Sequence, residues 1–459
     1  MPVVENDHCM AVTIALFTRD LRVNDNPALS AAVREGAAVV PLFVVDDRIV
    51  GSARPAGNQL RFLSAALAEL DAELRCAGGQ LVIRHGDYVE AVDRVVAQVH
   101  ADSVHVAEDA TWYGRCRLRA LRERLDRRSC LLHIHPATIT AVDAIDCAPH
   151  GRDGKAPDFA TYFRRWLEAP KRLPLDKPAE LLVPRVDSDP VPRFDELGDA
   201  AVSPQLAVGG EITGRALLRG CTAGQGQARG RARGDLTREG FSRLSPYLHF
   251  GCLSAAEMVH RADMATTDGR AFVRLLARRD FHLQFLAARA DIARSDDRDR
   301  GPQAHDPVVV RAWRDGRTGY PIVDAGMRQL AAQGWMPQRA RVIAASFLTT
   351  TLRVDWRVGA DHFRRWLLDA DAASNRFTWQ QVGRLDPGAA GTGERYDPEG
   401  NYVRRWIPEL AALPGSEIHR PWRHSVPTSI YPAPIAAPTV PDESSAGFAQ
   451  SLSTAPRGS

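Results

Sequence analysis

Lysine is nearly missing from this chain. Only Lys155, Lys171 and Lys177 are present, so arginine supplies almost all of the 59 basic residues that face 56 acidic ones. A net charge of +3 excludes a strongly basic protein. A local basic face stays open, because guanidinium groups bind phosphate bidentately and stack on bases; most of the arginine is nevertheless read as codon bias. Also absent is any C-x-x-C pair: Cys9, Cys76, Cys116, Cys130, Cys147, Cys221 and Cys252 are scattered and odd in number. That pattern argues for free thiols in a reducing cytoplasm and against zinc, and no metal site is expected. No apolar run approaches the roughly 20 residues that cross a bilayer. The acidic start MPVVENDH lacks the basic n-region of a signal peptide, so a cytoplasmic, monomeric protein with no membrane partner is expected.

At 459 residues the chain exceeds the roughly 250–300 at which single cores stop growing, which implies two domains or one large one. Over residues 11–138, β-rich runs at 13–17, 38–45, 81–85, 103–107 and 131–135 alternate with helical patterns. Leu60, Leu63, Leu67, Leu70 and Leu74 mark one helix, and Val89, Val92, Val96 and Val99 another. The alternation predicts a doubly wound parallel α/β sheet of flavodoxin or Rossmann type. Neither G-x-G-x-x-G nor a P-loop occurs, so ordinary dinucleotide or NTP binding by this half has no support. Residues 139–215 read as a proline-rich connector over the surface, interrupted by the helical piece FATYFRRWLEA. The arginine-dense GQGQARGRARGD at 224–235 reads as a solvated loop, with a phosphate-contacting edge as the alternative. Residues 426–459 read as a disordered tail.

The most informative span is 317–379, which holds RTGYPIVDAGMRQLAAQGWMPQRARVIAASFL, Trp356 and LLDADAASNRFTW. Val323, Met327 and Leu330 fall at i, i+4 and i+7, and Ala340, Ile343 and Phe347 at i, i+3 and i+7, so two helices each have a core face. Arg339 and Arg341 lie in the second. A buried guanidinium needs an anionic partner, and Asp369 and Asp371 are the nearest candidates.

These segments, with FTRDLRVNDNPAL at 17–29, SRLSPYLHFG at 242–251, RRDFH at 278–282 and PEL at 408–410, closely resemble the DNA photolyase/cryptochrome family over nearly the whole chain. The resemblance implies an all-α C-terminal FAD-binding domain, here 216–425, behind the α/β domain. It places Ser242, Leu244 and Ser245 on the FAD phosphates, and Arg341 and Asp369 at the N5 and O4 edge of the isoalloxazine. Asn375 would face N5, Asp371 the N3 side, and Arg279 another part of the flavin. Trp379 and Trp356 match the first two members of the tryptophan relay that photoreduces the flavin. Gln303 stands where the third belongs, leaving Trp313 or another residue as donor.

The implied reaction is blue-light-driven repair of cyclobutane pyrimidine dimers in DNA by electron transfer, a carbon–carbon lyase activity. Arg278, Gln338, Arg339 and Arg395 would flank the DNA. Five positions that hold the dimer in such repair enzymes depart from the family pattern: Leu275, Arg278, Gln338, Val342 and Gln381. The loop from Val382 to Thr392 is short, and Arg229 and Phe241 replace a tyrosine and a threonine that help hold the adenine. The rival expectation is a cryptochrome-like blue-light sensor or a repair-deficient flavoprotein of the same fold. Glu108, Asp109 and Trp112 lie where an antenna chromophore could touch the first domain, although surface acids explain them as well. The sequence does not choose between folate, deazaflavin and none.

Overall fold

A computed structural model describes residues 11–50, 56–147, 158–198, 200–222, 236, 243–288, 306–371, 375, 379, 389–424 and 426–436. The five strand runs form β1 (Val12–Phe17), β2 (Ala38–Asp46), β3 (Val82–Gly86), β4 (Ser103–Ala107) and β5 (Leu131–His135). All pairings are parallel, in the order β3-β2-β1-β4-β5. Every residue of β2 is buried, as a central parallel strand with both faces covered requires. Helix Gly57–Cys76 covers one face with Leu60, Leu67, Leu70 and Leu74. Helix Tyr88–Val99 inserts Val92 and Val96 on the other.

The connector is less superficial than its composition suggests. Helix Phe159–Glu168 buries Tyr162 and Trp166, one turn apart, against the long helix Thr267–Ala288. Each aromatic brings a polar tip that finds a partner: Trp166 Nε1 donates to Asp280 at 3.0 Å, and the Tyr162 hydroxyl to Gln284 at 2.9 Å. A single turn of helix with an apolar i, i+4 face was enough to turn a surface strap into core.

The loop after β1 fastens the two halves together. Arg22 is 1% exposed and donates to the carbonyls of Asp25, Gly251 at 2.9 Å and Thr138 at 3.0 Å, so backbone oxygens satisfy its buried guanidinium. Glu211 accepts from Val23 N at 2.8 Å and from Asn24 Nδ2 at 2.7 Å. Gly251 closes this junction with φ +71, and a Cβ there would lie 1.9 Å from the Arg19 carbonyl oxygen. Gly251→Ala is therefore expected to cost about 1–3 kcal/mol, through the positive φ and the overpacked backbone. Urea unfolding should show the loss; an unchanged midpoint would contradict this account of the junction.

Helices Pro321–Gln333 and Gln338–Ser346 pack together, with Val323, Met327, Leu330, Ala340 and Ile343 all in the core. Phe347 shares that core but opens a π-type turn, Phe347–Thr351. The tail begins later than its composition implies. Residues 426–436 lie against the start of helix Pro321–Gln333 and the turn before it: Tyr431 is 2% exposed, its hydroxyl donates to Asp324, and Ile435 N donates to Thr318 O at 2.9 Å. Asp324 is fully buried, and Tyr431 joins Thr318 and Gly319 in supplying the donors its carboxylate needs. The rest of the expected tail, and the 224–235 segment, lie outside the described residues. Among the described residues no helix is long and apolar enough to cross a membrane.

Candidate functional site

The site is built where the Gln338–Ser346 helix meets the chain leaving helix Trp356–Trp366. Arg341 Nε donates to Met336 O at 3.0 Å, fixing the guanidinium, and the other side of its fork reaches Asp369 Oδ2 at 2.9 Å. Both side chains are largely buried, at 14% and 7% exposed. Burial alone would push the Asp369 carboxyl up, but the Arg341 guanidinium outweighs it and holds the group below its usual range. The Ser245 hydroxyl lowers it further. Asp369 Oδ1 makes no hydrogen bond of ordinary geometry among the described residues, which leaves it able to accept from a ligand N–H.

A second pair crosses the domain junction. Asp371, expected at the flavin N3 side, pairs with Arg19 at 2.7 Å, and Arg19 also donates to the His249 carbonyl at 3.2 Å. Burial raises the Asp371 carboxyl, yet Arg19 and then His249 hold it well below the ordinary carboxylate range. Burial, then Arg19, lowers His249 to about 4. The α/β half thus contributes a cation to the wall of a site otherwise made by the helical half.

Ser245 is exposed and opens helix Ser245–His249, with Pro246 in its first turn. Its Oγ accepts from Trp335 Nε1 at 3.3 Å. Leu244 is 1% exposed and anchors that turn. Ser242 lies outside the described residues. Arg279, expected on the flavin, donates to Ile139 O at 2.8 Å and Leu248 O at 3.0 Å, bracing the connector against the Ser245 turn. Asn375 Nδ2 donates to Ala360 O at 3.0 Å.

Trp379 is 1% exposed and lies over Gly359, where a Cβ would come within 2.2 Å of its Cη2. Trp356 precedes Gly359 by one helical turn, so both present to one face of the helix. Trp313 lies 6.4 Å from Trp379, ring centroid to centroid, and Phe363 lies 4.9 Å away. Gln303 is outside the described residues.

The expected DNA-facing residues divide. Arg339 and Arg395 converge on Tyr396, 4.5 and 5.3 Å from its ring centre, and Gln338 is exposed. Arg278 instead stacks 4.2 Å above Phe159 of the connector helix. Leu275 is 66% exposed, Val342 packs at the edge of the helical core, and Gln381, Phe241 and Arg229 lie outside the described residues. Asp109 is buried and accepts from Thr111 N at 2.8 Å, which gives it a local structural use. A cavity of about 690 Å³ opens away from these residues, between Arg314, Arg328, His362 and Trp366.

Sequence reasoning missed Arg19, His249, Trp335 and Tyr396. Arg19 and His249 stand inside the FTRD and SPYLHFG matches, and that was the available signal for them.

The donor set fits an FAD: a fixed guanidinium, a buried carboxylate oxygen able to accept, and an exposed hydroxyl at a helix start. Comparison with known proteins agrees. Residues 13–181 match the DNA photolyase family and residues 272–442 the FAD binding domain of DNA photolyase. The chain is 45% identical over 432 residues to a deoxyribodipyrimidine photo-lyase of Streptomyces griseus, covering 90% of this chain and 93% of that protein. It is 31% identical over 452 residues to a cryptochrome DASH of Gloeobacter violaceus, covering 89% and 87%. Its fold matches a bacterial class III photolyase from Agrobacterium tumefaciens with a TM-score of 0.81 at 28% identity, over 98% of both chains. Sheet, helical bundle and paired charges together place the chain in the DNA photolyase/cryptochrome family.

Proposed function

We propose that this protein is an FAD-dependent, blue-light-driven lyase that splits cyclobutane pyrimidine dimers in DNA. The observation that carries the reading is the buried Arg341–Asp369 pair, whose carboxylate Oδ1 makes no hydrogen bond of ordinary geometry among the described residues, just beyond the helix Trp356–Trp366 on which the buried Trp379 packs. Bound FAD would supply the light absorption and the electron that leaves for the dimer and returns. Arg341 and Asp369 hold opposite charges fixed in a site shielded from water, where preorganised electrostatics act most strongly. Asn375, held by Ala360, would stand at the flavin N5 side. Arg339 and Arg395 present guanidinium groups around Tyr396 at the surface, a cation-plus-aromatic set suited to a phosphate backbone and a base. A reducing cytoplasm is the proposed compartment, and the six described cysteines are free.

A cryptochrome-like sensor is the second reading. It is favoured by Leu275, whose 66% exposed side chain offers no hydrogen bond to a flipped base, and by Arg278, whose guanidinium is committed to Phe159. Illumination of the flavin-loaded protein with a dimer-containing oligonucleotide separates the two. Repair requires restored thymines in blue light and none in darkness, with DNA affinity falling linearly in log–log form with added salt. Flavin-bound protein that restores no thymines would support the sensor.

A further inference from the structure

At the β4–β5 side of the sheet three imidazoles and one carboxylate meet. Parallel register sets His105 of β4 beside His133 of β5, and side chains two residues apart share a face, so His135 joins them. Helix Pro27–Glu35 runs back along this side of the sheet, and its last residue, Glu35, reaches the histidines. His105 Nε2 lies 3.3 Å from one carboxylate oxygen and His133 Nε2 3.7 Å from the other. The three ligand atoms all fall within 4.8 Å of one another.

The two nitrogen–oxygen distances are close to those of a coordination sphere, and the 4.8 Å span of the three atoms would tighten around an ion. With metal–ligand bonds of about 2.0–2.1 Å, adjacent ligand atoms of a tetrahedral zinc stand roughly 3.4 Å apart. Hydrogen bonding to Ser103, Glu35 and His135 accounts for His105, but it leaves His133 without a role. His133 Nε2 is buried and lacks a hydrogen-bond partner, although it is aimed at the same point. His105 is 2% exposed, and its Nδ1 lies 3.0 Å from His135 Nε2. With its proton on Nδ1, His105 donates to His135 and turns the Nε2 lone pair towards Glu35 and His133, which is how outer-shell partners orient a metal-binding imidazole. Ser103 Oγ sits 3.1 Å from His105 Nε2 and donates to Glu35 Oε1 at 2.6 Å, steering the carboxylate.

We propose that Glu35, His105 and His133 bind one divalent first-row transition-metal ion of the zinc class, with His135 and Ser103 as orienting partners and a fourth position open to water. Imidazole nitrogen with one carboxylate suits zinc, cobalt, nickel and copper rather than magnesium or calcium. The ion pins the end of helix Pro27–Glu35 to the sheet edge, so it stabilises the folded state by mass action.

The test uses tag-free holoprotein, treated with chelator and titrated with zinc by calorimetry and with cobalt(II) by visible absorption. One ion per chain is expected, with tetrahedral cobalt bands and a zinc-dependent rise in unfolding temperature. Glu35→Gln, His133→Ala and His135→Ala should each weaken binding at least about tenfold, with circular dichroism and flavin content unchanged. Glu35 is exposed, so its variant is expected to fold even if a histidine variant does not. Absence of stoichiometric uptake, or equal binding by Glu35→Gln and His133→Ala, would overturn the assignment.

Discussion

Asp369→Ala is expected to leave the protein colourless and less stable by about 3–5 kcal/mol, because Arg341 is then a buried charge without a partner. The side chain of Arg341 is only 14% exposed, so water cannot replace the lost carboxylate. Urea unfolding and the flavin-to-protein absorbance ratio would measure the two effects. Replacing both residues with leucine should recover most of the stability, since removing a whole buried pair is often close to neutral, while flavin binding stays lost. That divergence separates a cofactor site from a structural ion pair. A single Asp369 variant that retains stoichiometric flavin would contradict the assignment of Asp369 to the ring edge.

The second large effect is expected at Trp379. Trp379→Phe should abolish light-driven reduction of the flavin by an external thiol, while leaving flavin content unchanged. Oxidation of Trp379 must be made good by another donor, and the relay position occupied by Gln303 carries no indole. Trp313 is placed to serve: it is fully buried, 6.4 Å from Trp379, and its Nε1 donates to Ala344 O at 2.9 Å. His362 lies 5.4 Å beyond it, and Trp366 6.2 Å beyond that, at the wall of the 690 Å³ cavity. Trp313→Phe and Trp356→Phe should therefore each slow reduction, with loss of the transient tryptophan-radical absorption in whichever branch carries the electron. Full-rate reduction in Trp379→Phe would remove the relay from the account.

Much of this was legible before any coordinates. The strands announced themselves through near-continuous β-branched runs, because parallel strands are covered on both faces. The Arg341–Asp369 pair followed from a charge on a core-forming helix and an acid close downstream. Arg19 and Asp371 are separated by 352 residues, and no local pattern couples them, so Asp371 read only as a flavin contact and its pairing with Arg19 across the domain junction was not legible. Tyr431 and Trp166 were hidden by proline-rich surroundings that resemble linkers, although each supplies one ring and one polar tip to a buried carboxylate. The histidine cluster was invisible for a different reason: its ligands come from a helix end and two strands, and sheet register alone brings them together. A search for paired cysteines could not have found it.

The most direct measurement is the flavin stoichiometry of the purified chain after incubation with FAD, read from visible absorption and protein concentration. One flavin per chain, lost in Asp369→Ala, is the expected result. A chain that stays colourless at saturating FAD, with the Arg341–Asp369 pair intact, would contradict the claim that this cleft is a flavin site and with it both light-driven readings.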